Sequence, residues 1–190
     1  MTQAKPSLLI VDDIAANREI LTRRFARRDF DITEADCGFR ALELIRRQRF
    51  DLVLLDVMMP DLDGLEVLRR IRREHSPASL PVIMVTAKTE SVDIAEAFAA
   101  GANDYITKPV DFVVAVARLT TQLARKQAEE KIQQANDSLR DLTESLERRV
   151  VDRTAELVTT NEQLRKEIAE RERKQNEIHY LAHHDALTRP

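Results

Sequence analysis

The stretch "DLVLLDVMMPDLDGLEVL" (51–68) decides the fold. It opens on an apolar run dense in Val and Leu, the pattern of a strand covered on both faces. The run then ends in a carboxylate, Asp56, followed by two methionines, Pro60 and an Asp-Gly turn before a helix-period segment begins. A charge at the end of a buried strand is costly unless something pairs with it. Asp56 is therefore expected to be compensated, or used.

Outward from this stretch the same grammar recurs. "SLLIV" (7–11), "DITEA" (31–35), "DLVLL" (51–55), "PVIMV" (81–85) and "DYIT" (104–107) read as strands. Between them, "AANREILTRRFARR", "GFRALELIRRQ", "GLEVLRRIRREH" and "TESVDIAEAFAAG" read as amphipathic helices. Five strand–helix repeats predict an α/β fold with a doubly wound, five-stranded parallel sheet. On such sheets, ligands bind at the carboxyl ends of the strands, where the winding order reverses.

Composition narrows the function classes. The 190 residues carry 30 basic and 33 acidic side chains, a net charge of −3. That balance offers no electrostatic case for nucleic acid or an anionic membrane. One cysteine, Cys37, excludes an internal disulfide framework and fits a reducing cytoplasm. The start of the chain lacks a signal peptide's apolar region, and no run is long and apolar enough to span a bilayer. All three glycines and all six phenylalanines lie at or before Phe112, and no proline occurs between Pro109 and Pro190. A compact domain (1–125) is expected to continue, through an unbroken fifth helix, into a rod (126–184), with a short remainder (185–190).

The strand ends carry the chemistry. The first strand ends in Asp12 and Asp13, the third in Asp56, the fourth in Thr86 and Ala87, and the fifth is followed by Lys108 and Pro109. With strand order 2-1-3-4-5, three carboxylates, a hydroxyl and an ammonium converge. Carboxylates so close repel one another, and Mg2+ suits hard oxygen ligands. A lysine opposite the metal can hold an anion's oxygen. The set fits metal-assisted phosphoryl transfer to Asp56. Each residue also has an ordinary reading. Asp12 and Asp13 can cap a helix, Thr86 likewise, and Lys108 can be a surface lysine. "DLDG" lacks the ligand ladder of an EF-hand. Joint placement at four strand ends favours the site.

These residues closely resemble the receiver domain of bacterial two-component response regulators, through "IVDD" (10–13), "LLDVMMPDLDG" (54–64), "VTA" (85–87) and "GANDYITKP" (101–109). The resemblance implies a flavodoxin-like fold with Asp56 as phosphoacceptor. It implies Mg2+ bound by Asp13, Asp56 and the Met58 carbonyl, with Asp12 acting through water. Thr86, Ala87 and Lys108 would contact the phosphoryl group, and Tyr105 would rotate inward as Thr86 moves, although a fixed aromatic is the alternative. Pro60 and Gly64 would shape the loop at the metal. A cognate histidine kinase or phosphotransfer protein would be the partner.

From Phe112 onward the fifth helix is not expected to stop. Ile132, Leu139 and Leu146 repeat by sevens, with Ala128, Ala135 and Leu142 beside them. Further on, Val150, Leu157, Leu164 and Ile178 repeat, with Asn161, Ile168 and Ala182 as partners. Such spacing predicts a left-handed coiled coil, and a helix this polar has no other place to bury its seam. A parallel homodimer follows. The two frames differ by one residue: Leu146 to Thr154 is eight positions, where a heptad gives seven. The break changes supercoil twist locally.

The chain closes on "HYLAHHDALTRP". "LAHHDALT" resembles the opening segment of GGDEF domains, the catalytic modules of diguanylate cyclases. "RTAELVTTNEQLRKEIAERE" resembles the signalling helices that lead into them. Arg189 and Pro190 depart from the usual continuation. The resemblance implies a regulatory and dimerisation module of a cyclic di-GMP synthase, with no catalytic output domain in this chain. The alternative is the receiver part of a hybrid histidine kinase, with an atypical phosphoacceptor box around His184.

Overall fold

The computed structural model describes residues 5–87 and 91–185, with side chains given for all of these except 91–93 and 181–185. The His184 side chain and residues 186–190, including Arg189 and Pro190, lie outside the described residues. The elements alternate as β1 (Ser7–Val11), α1 (Ala15–Ala26), β2 (Asp31–Ala35), α2 (Gly38–Arg47), β3 (Leu52–Asp56), α3 (Gly64–Glu74), β4 (Val82–Thr86), α4 (Ser91–Ala99), β5 (Asp104–Thr107) and α5 (Phe112–Asp185). One sheet forms, in the order β2-β1-β3-β4-β5, and every pairing is parallel.

The two faces of the sheet explain the unbroken apolar runs. Leu9, Val11, Val53, Leu55, Val82 and Met84 belong to one core, with Ala41, Leu44 and Ile45 of α2 and Val67, Leu68 and Ile71 of α3. Leu8, Ile10, Leu52, Leu54, Ile83 and Val85 belong to the other, with Leu21 and Phe25 of α1 and Ala115, Leu119 and Leu123 of α5. Successive strand residues point to opposite faces, so a strand with helices on both sides is apolar at every position. Truncating one of these leucines to alanine costs about 2–5 kcal/mol.

Two strands sit one residue later than their apolar runs suggest. In β4, Pro81 has no N–H to give the ladder, so pairing begins at Val82, although the Pro81 carbonyl accepts from Val53 N–H at 2.9 Å. In β3, the Asp51 carboxylate is drawn aside to Ser7 N–H at 2.9 Å and to Lys126 Nζ at 2.7 Å. Asp56 instead joins the ladder opposite Val85.

The chain divides into two units, residues 1–133 and 134–190. In the first, α5 packs through Ala115, Leu119 and Leu123, and Lys126 is its last buried residue among those described. In the second, every described residue is helical. The seam positions Ile132, Leu139, Leu142, Leu146, Val150, Leu157, Leu164, Ile168 and Ile178 are 49–68% exposed along α5, and Asn161 is exposed among them. No described helix is long and apolar enough to cross a membrane.

Candidate functional site

Because β1, β3, β4 and β5 run parallel, their carboxyl ends fall on one edge, and the side chains at those ends meet. Asp12, Asp13 and Asp56 offer carboxylate oxygens that all lie within 4.8 Å of one another. The Lys108 ammonium bridges two of these acids, at 2.7 Å from Asp56 Oδ2 and 3.1 Å from Asp12 Oδ2. Asp56 and Asp12 are 2% and 3% exposed, so the Lys108 ammonium pairs with both away from water. Lys108 is positioned by the sheet, since its N–H donates to the Thr86 carbonyl at 2.8 Å.

Each acid is held differently. Asp12 accepts from Ile14 N–H at 2.9 Å through Oδ1, and from Asn17 Nδ2 at 3.1 Å through both oxygens. Among the described residues, Asp56 Oδ1 accepts a long bond, 3.3 Å, from Met58 N–H. Among the described residues, no protein group donates to the Asp13 carboxylate. Neither of the first two acids stands at the N-cap of α1, a position taken by Ile14 without a side-chain cap; Asp12 accepts from the Ile14 N–H just ahead of the helix. Asp63 instead caps α3, accepting from Glu66 N–H at 2.7 Å.

Gly64 lets the start of α3 dock against the phosphoacceptor candidate. Its N–H donates to the Val57 carbonyl at 2.9 Å. A Cβ there would stand 2.1 Å from the Asp56 carbonyl oxygen. Met58 is largely exposed while Met59 packs into the core.

Burial pushes the Asp56 carboxyl above its ordinary value of 3.8; the Lys108 hydrogen bond and charge offset this only in part, and the Asp12 charge adds to the rise. Burial pulls the Lys108 ammonium down, but the bonds and charges of Asp56 and Asp12 outweigh it and leave its pKa raised. The site is thus short of positive charge. Three oxygen-donor acids, one without a protein donor, are the chemistry a hard divalent cation requires, so the residues fit Mg2+.

Thr86 ends β4 and is buried, and Ala87 follows it exposed. A cavity of about 30 Å³ lies between Thr86 and Tyr105, lined also by Val57, Leu65, Met84, Ile94 and Ala97. Tyr105 is half-buried, meets the Phe98 ring edge-to-face at 5.9 Å, and carries the Arg118 guanidinium 5.4 Å above its ring. Arg118 also pairs with Asp104.

Sequence reading missed the groups behind the acids. Arg18 Nη1 donates to the Asp12 carbonyl at 2.7 Å and the Asp13 carbonyl at 3.2 Å, and its Nε faces Glu34 Oε2 at 3.4 Å. The available signal was spacing: Asn17 and Arg18 fall in the first turn of the helix that follows the acids.

Comparison with known proteins agrees with this geometry. The transcriptional regulatory protein AfsQ1 of Streptomyces coelicolor is 38% identical over 156 residues, 82% of this chain and 64% of that protein. The transcriptional regulatory protein CseB of the same organism is 42% identical over 118 residues, 62% of this chain and 49% of that protein. This chain therefore spans between about half and just under two thirds of the length of these relatives. The solved receiver domain of Francisella response regulator 1452 superposes with a TM-score of 0.60 at 30% identity, covering 63% of this chain and 98% of that one. Residues 8–120 match the family described as the response regulator receiver domain, and that span contains every strand end at the site but no residue of the second unit. A sheet of order 2-1-3-4-5 whose central edge gathers three acids, a threonine and a lysine, in a chain matched by that family over more than half its length, belongs to the response regulator receiver domains of two-component systems.

Proposed function

We propose that Asp56 accepts a phosphoryl group from a cognate histidine kinase or phosphotransfer protein. The observation that carries this reading is the Lys108 ammonium shared by Asp56 and Asp12 at the centre of three clustered acids. A carboxylate oxygen of Asp56 forms the new P–O bond as the donor's P–N bond breaks. Asp13, Asp56 and the Met58 carbonyl would hold Mg2+, with Asp12 acting through water because its own oxygens already serve Lys108, Asn17 and Ile14. When bound, Mg2+ supplies charge that offsets the carboxylates and the phosphoryl oxygens. Lys108 then holds a phosphoryl oxygen, and Thr86 and the Ala87 N–H take others. Tyr105 responds as Thr86 is recruited, since the small cavity between them makes the two side chains neighbours in one packed space.

In this reading α5 carries the signal. Its exposed apolar seam pairs with that of a second copy as a parallel coiled coil. The helix passes the change to a C-terminal output domain, proposed from the "LAHHDALT" resemblance to be a GGDEF diguanylate cyclase, in the cytoplasm. AfsQ1 and CseB are named as transcriptional regulators, and that output is theirs.

Beryllofluoride, which mimics a phosphoryl group on a carboxylate, tests the site. Nuclear magnetic resonance of the wild type is expected to show Mg2+-dependent binding with shifts at Thr86, Tyr105 and Lys108, and none in Asp56→Asn. Equal shifts in both proteins would reject Asp56 as the acceptor.

A further inference from the structure

The acids at the site are held from in front by Lys108 and from behind by Arg18. The N-cap position of α1 is Ile14, which has no side-chain oxygen to cap the helix. The loop that carries Asp12 and Asp13 into that helix therefore lacks the usual cap. Arg18, next to Asn17 in the first turn of α1, reaches back with one terminal nitrogen to both main-chain carbonyls, at 2.7 Å and 3.2 Å. Its other edge rests against Glu34 at the far end of β2, at 3.4 Å. Glu34 is itself fixed by Thr22 Oγ1, which donates to it at 2.7 Å from the next turn of α1. The Arg18 side chain is only 15% exposed, so the tie is mostly sheltered from water.

We propose that Arg18 is a positioning residue for divalent-cation binding: by gripping the carbonyls of Asp12 and Asp13, it fixes the direction in which their carboxylates leave the chain toward Asp56. This rests on the metal reading above. Three carboxylate oxygens within 4.8 Å form a poised ligand set only if the loop cannot turn away. Asp13 depends on it most, because no protein donor among the described residues holds its carboxylate. Groups that orient metal ligands from behind commonly change metal affinity by about 10–100-fold when removed.

The charge of Arg18 makes the test sharp. A guanidinium behind the acids opposes a cation electrostatically, so deleting it would tighten binding if charge were its whole effect. Deleting a positioning group weakens binding instead. Mn2+ as a paramagnetic probe, titrated into the full chain and followed by electron paramagnetic resonance, reads the dissociation constant directly. Urea midpoints on the same samples report stability apart from binding. Arg18→Met is expected to weaken Mn2+ binding about tenfold. Arg18→Lys, which keeps a cationic donor on a similar stem, is expected to recover part of the loss. Unchanged or tighter binding in Arg18→Met overturns the inference while leaving the metal site intact. Absence of binding in the wild type overturns the metal reading and this inference with it. Should Arg18→Met fail to fold, Arg18→Lys carries the test, since its charge is unchanged: Mn2+ binding weaker than in the wild type supports the positioning role, and wild-type binding rejects it.

Discussion

Asp56 is a residue the fold bears at a cost. Its folded-state pKa is raised, first by burial, so ionising it costs the folded chain more than the unfolded one. Below the ordinary value of 3.8 the carboxyl is protonated in both states and has no effect. Above the raised value the full cost applies. In metal-free buffer at neutral pH, Asp56→Asn is therefore expected to raise the urea midpoint, corresponding to about 1 kcal/mol more unfolding free energy. The gain should fade as pH falls toward 4, roughly where both forms protonate, and should shrink when Mg2+ stabilises the wild type. A midpoint that drops at neutral pH would contradict it. Asp12, Asp56 and Lys108 were legible in sequence because each ends or follows an apolar run. Arg18 and Asn17 were not, because their use depends on the phase of α1 against the end of β1. Nor was the Lys126–Asp51 pair, whose members stand 75 residues apart and belong to no shared periodicity.

At the scale of elements, β1 and β5 match their apolar runs residue for residue. β3 and β4 differ by one, for reasons periodicity does not carry: a side chain diverted to other donors, and a proline without a proton to give. The strand order followed from winding rules together with where the chemistry had to meet. In α5 the two apolar stripes remain in separate frames. The first frame, carried past Leu146, meets Arg149, Arg153 and Glu156; the second, carried back before Val150, meets Glu147, Thr143 and Arg140. Neither stripe can be extended through the other's half. Deleting Glu147 alone would place Val150, Leu157 and Leu164 in register with Leu142 and Leu146. If the coil is the seam proposed, this deletion is expected to tighten the dimer by at least about tenfold, roughly 1.4 kcal/mol, as followed by thermal loss of helical circular dichroism at several concentrations. A weaker coil after the deletion would reject the two-frame reading.

For the whole molecule, nine exposed seam residues along one helix, from Ile132 to Ile178, make association the expected state. Light scattering on the full chain at tens of micromolar is expected to report twice the 21.8 kDa chain mass. Leu139→Lys together with Leu157→Lys is expected to return it to one chain mass while leaving beryllofluoride binding at Asp56 intact. A wild-type monomer across that range would remove the coil from the account.

The strand β3 ends in one tethered aspartate, Asp56, and is preceded by another, Asp51. Asp56 at the top is fastened to Lys108, just ahead of α5, and Asp51 at the foot is fastened to Lys126, inside it. The segment leading into α5 and the end of its packed part are thus each tied to this one stretch of chain. Should Lys108 turn to a phosphoryl oxygen, as proposed, the upper tie to β3 changes while the Lys126–Asp51 tie at the foot stays as it is.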